Sequence, residues 1–306
     1  MLKHSAELGM RQNQSYARRI TLPISGEISF ILGGSPVPIV TALNQKGGVG
    51  KTSTCYHLAG TLAQLGRRVL LVDADPQSSL TQGFLGPQQT RQLDPIETIA
   101  GVLAGEAIPA QAVRPTGLPG VDLVAGSRRA ASANLPDPHL VDWPAQIALR
   151  EFLGEVHAGY DLVIIDCPPN LHLCSWAALV AADALVVPVM PEDFGAQGLA
   201  DVQESVTRVL AGPNPRLVLA GYLITMISPR RTIHQIYEER LRETYGSEVF
   251  ATRIPESVDF VEAIARRQPV AQYKPRGAAA KAIKTLAEEL YGRLAERLGA
   301  CERGAA

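Results

Sequence analysis

The chain of 306 residues is long enough for one large α/β domain, and 46% of its residues are hydrophobic, which suffices to fill a core. No segment approaches the roughly 18 continuous apolar residues of a membrane span, and the N-terminal segment lacks the apolar centre of a signal peptide, so we expect a cytoplasmic protein. The net charge of −1 means that any nucleic-acid binding must come from a local basic patch. Four cysteines without a C-x-x-C pair indicate neither a disulfide framework nor a structural zinc site.

Residues 1–36 mix Pro, Gly, Ser and charged residues without a clear period. We predict an N-terminal extension there, either a mobile tail or the product of an upstream start codon, and assign no function to it. Because no internal repeat is evident, residues 37–300 are predicted to form one domain, and residues 301–306 a short tail.

From Val37 onward, short apolar runs alternate with longer segments of helical periodicity. Strands are predicted at 37–43, 68–73, 161–166, 184–188 and 217–225. Helices are predicted from Gly50 and at 95–103, 142–156, 196–210, 232–245, 258–267 and 278–298, with residues 84–120 as a connecting excursion. This alternation predicts an α/β fold whose mostly parallel sheet is covered by helices on both faces.

The first predicted strand runs into a glycine-rich turn and then into a helix. Glycines in such a turn let backbone N–H groups point at phosphate oxygens, and the helix start adds its positive dipole end. Lys51 is placed to reach the β- and γ-phosphates of ATP, and Thr52 to offer its hydroxyl to Mg²⁺. The predicted nucleotide-binding residues of the loop are Lys46, Gly47, Gly48, Val49, Gly50, Lys51, Thr52 and Ser53.

The loop departs from the usual G-x-x-x-x-G-K-[ST] pattern, because Gln45 stands in place of the first glycine and Lys46 follows it. In this it resembles the deviant Walker A loop of the ParA/MinD family of ATPases, which are P-loop NTPases of the SIMIBI type. The resemblance implies that Lys46 reaches across a nucleotide-sandwich homodimer to the partner's phosphates. A lysine acting in this way would stabilise charge on the γ-phosphoryl group, as an arginine finger does.

Two further predicted strands end in aspartate, at Asp73-Ala74-Asp75 and at Asp166. Open parallel sheets place their ligand crevice at the carboxyl ends of the strands, so both should face the phosphates. The first segment resembles the switch I signature of the family, which implies that Asp75 positions the attacking water and is linked to Mg²⁺. The second resembles Walker B, which implies that Asp166 holds Mg²⁺ through water. The predicted catalytic residues are Lys46, Lys51 and Asp75, and the predicted metal residues are Thr52, Asp75 and Asp166.

The resemblance spans about residues 38–295 and is greatest to the ParA, or Soj-like, partition ATPases. It implies that Met226 and Pro255 line the adenine pocket, which the residues themselves support only as apolar groups at strand ends. MinD-like relatives end in a short membrane-binding amphipathic helix. Here the last predicted helix, 278–298, combines many charges with apolar residues at helical spacing, which is typical of a helix packed on its own domain.

A basic segment at 266–284 contains no acidic residue and could neutralise phosphates of nonspecific duplex DNA. The candidate DNA contacts are Arg230, Arg231, Arg266, Arg267, Lys274 and Arg276. By resemblance, the two DNA-binding arginines of the family map to Arg230 and Asp259, so half of that pair is reversed in sign. Since a carboxylate repels phosphate, DNA affinity is expected to be weakened, moved to neighbouring basic residues, or lost.

The resemblance implies a DNA-segregation ATPase that is cytoplasmic and associated with the nucleoid, on a chromosome or a plasmid. ATP would drive a homodimer onto nonspecific DNA, and a ParB-like centromere-binding partner would stimulate hydrolysis and release. One alternative is an ATPase of the same family that positions a non-DNA cargo, which Asp259 favours. Another is a metabolic ligase or reductase on the same scaffold, for which the sequence has no evident cluster motif or second-substrate site.

Overall fold

The structure is a computed structural model, and it describes residues 37–191 and 196–304. Residues Ser35–Ala306 form one compact unit. The extension predicted at 1–36 lies outside the described residues, so its boundary with the domain stays a prediction.

The described part of the chain contains one eight-stranded sheet. Its strands in chain order, β1 to β8, are Ile39–Ala42, Val69–Asp73, Val113–Pro115, Val121–Val124, Leu162–Asp166, Ala184–Val189, Val218–Ile227 and Val249–Pro255. The spatial order is β3-β4-β2-β5-β1-β6-β7-β8, and every neighbouring pair is parallel except β3 with β4. The predicted mostly parallel sheet is therefore confirmed.

The helices of the described residues lie between these strands and after the last one. In chain order, α1 to α13 are Lys51–Gln64, Ser79–Leu85, Pro87–Gln92, Ile99–Ala104, Pro109–Ala112, Ala130–Ala133, Trp143–Val156, Leu173–Ala181, Ala196–Leu210, Thr232–Tyr245, Val258–Ala265, Val270–Tyr273 and Ala278–Gly304. The last helix continues to Gly304, past the predicted domain end at 300, because residues 299–304 include good helix formers such as Ala300 and Glu302. Within 37–191 and 196–304, none of these helices has the length and apolar character needed to cross a bilayer.

The central strands are buried on both faces, which explains why they appear in the sequence as continuous apolar runs. Every residue of β2 and β5 is buried. Leu70 and Val163 belong to the same hydrophobic cluster as Leu149 of α7 and Trp176 of α8. Helices α1 and α13 pack on each other and cover other parts of the sheet, and α13 contacts β7 and β8.

Two short strands, β3 and β4, were not predicted. The strand β3 lies near the end of residues 84–120, which were expected to be a connecting excursion, and β4 directly follows that segment. The pairing of β4 with β2, with Val69 opposite Val121, supplies backbone hydrogen bonds that a run of only four residues does not signal. The strand β8 was also not predicted. The carboxyl ends of β1, β2 and β5 meet at one edge of the sheet, where Asp166 lies opposite both Ala42 and Asp73.

Candidate functional site

The loop from β1 to α1 is shaped by two glycines in the left-handed region of backbone space. Gly48 has φ 77° and Gly50 has φ 81°, values that residues with a Cβ rarely adopt. Gly50 directly precedes α1 and has no side chain to cap it. The first backbone N–H groups of α1 are therefore left to an external acceptor, which is the arrangement of an anion site at a helix start.

Lys51 crosses the inside of this loop. Its side chain is buried, and Nζ donates to the carbonyl oxygens of Asn44 at 2.9 Å and Lys46 at 3.0 Å. Burial lowers the pKa of Lys51, and the nearby negative charge of Asp166 opposes that shift. The ammonium group is thus held at the centre of the loop by two backbone carbonyls that an anionic ligand can replace.

Asn44 fixes the loop to the sheet, a role that was not predicted from the sequence. Its Nδ2 donates to the carbonyl oxygen of Pro188 at 2.7 Å, and its Oδ1 accepts from the backbone N–H of Lys46 at 2.9 Å. The backbone at Lys46 is therefore anchored on both its N–H and its carbonyl, whereas the residue itself is exposed. The only sequence signal for Asn44 was its position between the strand and the glycines.

The end of β7 contacts the opposite side of the loop. Thr225 Oγ1 lies within hydrogen-bond distance of two carbonyl oxygens, Val49 at 2.9 Å and Val189 at 3.2 Å. Met226 has φ 53°, and its Cε lies 3.5 Å from the place that a Cβ on Gly50 would occupy. Pro255 ends the neighbouring strand, where it is paired with Ile227. Met226 therefore lies against the loop and Pro255 one strand away, and their contact with adenine stays a prediction.

Asp166 lies at the carboxyl end of β5 and is fully buried. Within the described residues, neither of its carboxylate oxygens has a partner that meets normal hydrogen-bond geometry. Burial raises the pKa of Asp166 well above its ordinary value, and the negative charge of Asp73 adds to this, whereas the neighbouring Thr52 and Lys51 oppose it. Burying a carboxylate without a partner costs free energy, and a cation bound at this position would offset that cost.

Asp73 and Asp75, only two residues apart, have different surroundings. Asp73 accepts three hydrogen bonds, from Thr81 N at 2.8 Å, Thr81 Oγ1 at 2.6 Å and Asp75 N at 3.2 Å. Burial raises the pKa of Asp73 to about 7. Asp75 is 9% exposed, and one of its oxygens accepts from Gln77 N at 2.8 Å. Asp73 is thus engaged in holding the start of α2, which leaves Asp75 as the acid of this segment available to a ligand.

The donor set at this edge fits a hydrated magnesium ion bound together with a nucleotide. It consists of the Thr52 hydroxyl and the carboxylates of Asp75 and Asp166, all hard oxygen ligands of the kind that Mg²⁺ prefers. In the part of the chain that the structure describes, no three His, Cys, Asp or Glu side chains form a metal cluster. A divalent cation here would therefore draw further ligands from water and phosphate oxygens, as Mg²⁺ commonly does.

The candidate DNA residues lie partly beside carboxylates. Lys274 Nζ lies 2.5 Å from Asp259 Oδ1 and 3.4 Å from Glu262 Oε2, and Arg231 lies 3.5 Å from Glu256. The opposing charge of Asp259 was predicted from the sequence, whereas those of Glu262 and Glu256 were not. These ion pairs reduce the positive charge available to a phosphate backbone.

The other candidate DNA residues are all exposed. Arg266 lies over the ring of Tyr273 at 5.0 Å from its centroid, and the guanidinium of Arg267 packs on Gly86. Arg230 and Arg276 complete the set. The structure thus brings Arg266 and Lys274 together around Tyr273, and DNA contact by any of these residues stays a prediction.

Comparisons with known proteins agree with this fold. A family described as AAA domain matches residues 37–219, which is more than half of the chain. The chain is 39% identical to the chromosome-partitioning ATPase Soj of Thermus thermophilus over 264 residues, covering 84% of this chain and 96% of Soj. It is 34% identical to the chromosome partitioning protein ParA of Caulobacter vibrioides over 269 residues, covering 87% of this chain and 98% of ParA.

A solved structure with a similar fold is cobyrinic acid a,c-diamide synthase from Mycobacterium smegmatis, with a bound ATP analogue and magnesium. The two chains superpose with a TM-score of 0.70 and 28% identity, covering 82% of this chain and 93% of the other. Three observations indicate the same family. They are the glycine loop with its lysine pair, the aspartates at two strand ends, and the similarity to Soj and ParA over nearly their whole length. This chain belongs to the ParA/MinD family of ATPases.

Proposed function

We propose that the protein is an ATP-dependent DNA-segregation ATPase whose dimeric, ATP-bound state binds nonspecific DNA and is released by hydrolysis. The observation that carries the nucleotide part is the buried, unpaired carboxylate of Asp166 beside Lys51 and the glycine loop. The segregation part is supported by the similarity to Soj and ParA, whose names state a role in chromosome partitioning.

Hydrolysis would depend on how the loop side chains meet the phosphates. Lys51 Nζ would exchange its two carbonyl partners, Asn44 and Lys46, for β- and γ-phosphate oxygens. Mg²⁺, when bound with ATP, would neutralise charge on these phosphates, with Thr52, Asp75 and Asp166 as the residues that hold it. Asp75, fixed by the backbone N–H of Gln77, would orient the attacking water.

The homodimer would complete the site through Lys46. The Lys46 backbone is anchored by Asn44 and Lys51 and the residue is exposed, so a partner subunit can approach Lys46 while the loop keeps its backbone conformation. A second ammonium on the γ-phosphoryl group would stabilise the charge that develops there in the transition state. ATP hydrolysis would therefore require the dimer, and a ParB-like centromere-binding partner would accelerate it.

The DNA surface would consist of the exposed candidates Arg230, Arg266, Arg267 and Arg276, with Arg231 and Lys274 restrained by carboxylates. Ion pairs between exposed groups are weak, so DNA phosphates can compete with them at low salt. We therefore expect nonspecific affinity that is modest and falls steeply with salt.

A second candidate function is the positioning of a non-DNA cargo by the same ATP switch. It is favoured by one observation, the presence of Glu256, Asp259 and Glu262 on the surface where DNA would approach. Under this alternative the nucleotide site and the dimer would be unchanged. Only the surface formed by these carboxylates and their basic partners would contact something other than DNA.

The deciding experiment measures fluorescence anisotropy of a labelled random duplex with the protein in ATP, ADP or no nucleotide, at low and at physiological salt. The proposed function predicts binding in ATP alone, with a steep loss as salt rises. Light scattering on the same samples reports the dimer. An ATP-dependent dimer that ignores duplex DNA at low salt would replace segregation with cargo positioning, and a failure to hydrolyse ATP would overturn both.

A further inference from the structure

A second concave surface lies next to the switch segment that carries Asp75. It is a cavity of about 430 Å³, within the range of ligand sites in proteins. Its lining residues include Gln77 and Ser78, which follow Asp75 in the chain, and three arginines, Arg91, Arg128 and Arg129. We call this surface the arginine cavity.

The arginine cavity is positively charged and lacks internal compensation. Within the described part of the chain, the side chains of Arg91, Arg128 and Arg129 form no hydrogen bond or ion pair, and none of the residues that line the cavity is Asp or Glu. Elsewhere, arginines such as Arg67 and Arg114 do pair with carboxylates. In a chain of net charge −1, three unpaired guanidinium groups around one concavity indicate an anionic ligand.

The cavity is physically connected to the nucleotide site. The backbone N–H of Gln77 donates to Asp75 Oδ1 at 2.8 Å, so a ligand that moves Gln77 also moves Asp75. The loop that carries Arg128 begins at Gly126, whose N–H donates to Thr81 Oγ1 at 2.7 Å, and that hydroxyl donates in turn to Asp73. Ser78 has φ 57°, a strained conformation for a serine, at the point where the segment turns into α2.

We propose that the arginine cavity binds an acidic segment of a partner protein, and that occupancy changes the rate of ATP hydrolysis through Gln77 and Asp75. Arginine forks bind carboxylates in bidentate fashion, and the cavity adds the apolar groups of Pro87, Leu93 and Pro95 that a peptide side chain can contact. A duplex phosphate backbone would not contact these apolar groups, and duplex DNA binds along a broad surface rather than in a single cavity. The effect on hydrolysis rests on the proposed function, whereas the binding itself does not.

The test uses the full chain with a fluorescein-labelled hexaglutamate peptide, followed by anisotropy at low salt. The cavity variant is Arg128→Glu with Arg129→Glu. The control variant is Arg240→Glu with Lys281→Glu, which makes the same change in net charge at exposed positions outside the cavity. We expect the cavity variant to lose more than about tenfold in affinity and the control variant to stay within about twofold of the unmodified chain.

Three competitors test the identity of the ligand, and nucleotide binding shows that each variant is folded. Excess unlabelled hexaglutamate should displace the labelled peptide. Inorganic phosphate, added at the same total concentration of negative charge, and random duplex DNA should not displace it. Equal loss in both variants would overturn the cavity as the site, and displacement by phosphate or by DNA would overturn an acidic peptide as its ligand. Peptide that binds in the cavity and leaves ATP turnover unchanged would refute the coupling alone, without touching the proposed function.

Discussion

The ammonium of Lys274 lies 2.5 Å from a carboxylate oxygen of Asp259, on the surface where the family resemblance places DNA. The same ammonium lies 3.4 Å from Glu262, whose carboxylate also accepts from the hydroxyl of Tyr273 at 2.7 Å. Asp259 raises the pKa of Lys274, because the ion pair favours the charged lysine. Lys274, which the sequence makes a candidate DNA contact, therefore already forms ion pairs with Asp259 and Glu262 of its own chain.

Replacing Asp259 with Ala should strengthen nonspecific DNA binding by the ATP-bound protein several-fold. The change removes a charge that repels phosphate and frees Lys274 to contact it, so the dependence of log affinity on log salt should steepen by about one unit. The measurement is anisotropy of a labelled random duplex across a salt series. Glu155→Ala removes an equally negative charge from the exposed side of α7 and should leave the affinity unchanged. If Asp259→Ala also leaves it unchanged, this surface does not meet DNA.

Asp166→Asn and Asp73→Asn should change the stability of the nucleotide-free protein in opposite directions. The Asp166 oxygens are buried without partners, so removing the charge should stabilise the protein by roughly 1 kcal/mol. Asp73 accepts three hydrogen bonds, and an amide cannot accept all of them, so Asp73→Asn should destabilise by about 1 kcal/mol.

Urea unfolding in EDTA measures this difference between the two aspartates. Thermal unfolding with Mg·ATP is the second measurement, and here we expect Asp166→Asn to lose the stabilisation by nucleotide that the unmodified chain shows. A destabilised Asp166→Asn variant, or one with an undiminished response to Mg·ATP, would contradict the assignment of Asp166 to the metal.

Lys46→Ala should separate nucleotide binding from turnover. The cis contacts of the loop depend on Lys51 and on backbone atoms, so ATP binding by the monomer should remain near normal. Turnover and the ATP-dependent dimer should be lost, with hydrolysis falling by about 10³ or more if Lys46 acts like an arginine finger. Phosphate release and light scattering provide the measurements, and Gln45→Ala, at the adjacent exposed position, is the control. Normal hydrolysis by Lys46→Ala would refute a role in trans.

Asp75→Ala should give a protein that binds ATP and dimerises without turnover, because the water would lose its orienting carboxylate while Lys46, Lys51 and Asp166 remain. Size-exclusion chromatography after incubation with ATP should find a long-lived dimer. Asp73 cannot substitute for the lost group, since Thr81 and the backbone occupy its oxygens. A variant that hydrolyses ATP at the normal rate would assign the water to another residue.

His57 should make the protein lose stability in mild acid. The ring is fully buried, Val270 N donates to its Nδ1 at 3.0 Å, and the protonated Nε2 donates to Phe260 O at 3.2 Å. Burial lowers the pKa of His57 from 6.5 to about 4. Below pH 6.5 the His57 side chain therefore binds a proton in the unfolded chain but stays neutral in the folded chain. Stability present at neutral pH should fall by about 2 kcal/mol at pH 5 from this group alone.

The matching measurement compares urea unfolding at pH 7.5 and pH 5 for His57→Gln and for the unmodified chain. The variant should be less stable at pH 7.5, since it loses contacts with Tyr56 and Phe260, but its loss between the two pH values should be smaller by about 2 kcal/mol. His139→Gln changes an exposed histidine and should keep the full loss. Identical pH dependence in all three proteins would show that His57 titrates normally in the folded state.

The sequence by itself determined the fold class, and it predicted the residues of the reacting centre, because both predictions rest on local patterns. Continuous apolar runs identify buried parallel strands, and the succession of strand, glycines, lysine and threonine at 37–52 specifies a phosphate loop without knowledge of any distant residue. The same holds for the aspartates that end two apolar runs.

Only the tertiary structure decided which partners these groups have, because those partners lie on segments far apart in the chain. Asp73 is satisfied by Thr81 whereas Asp166 is left unpaired, and no periodicity distinguishes the two. Likewise, Asn44 is tied to Pro188, 144 residues away, and Lys274 is neutralised by an acid one helix earlier. A hydrogen bond or an ion pair acts over about 3–4 Å, so its presence is set by the packing of helices and strands rather than by the order of residues.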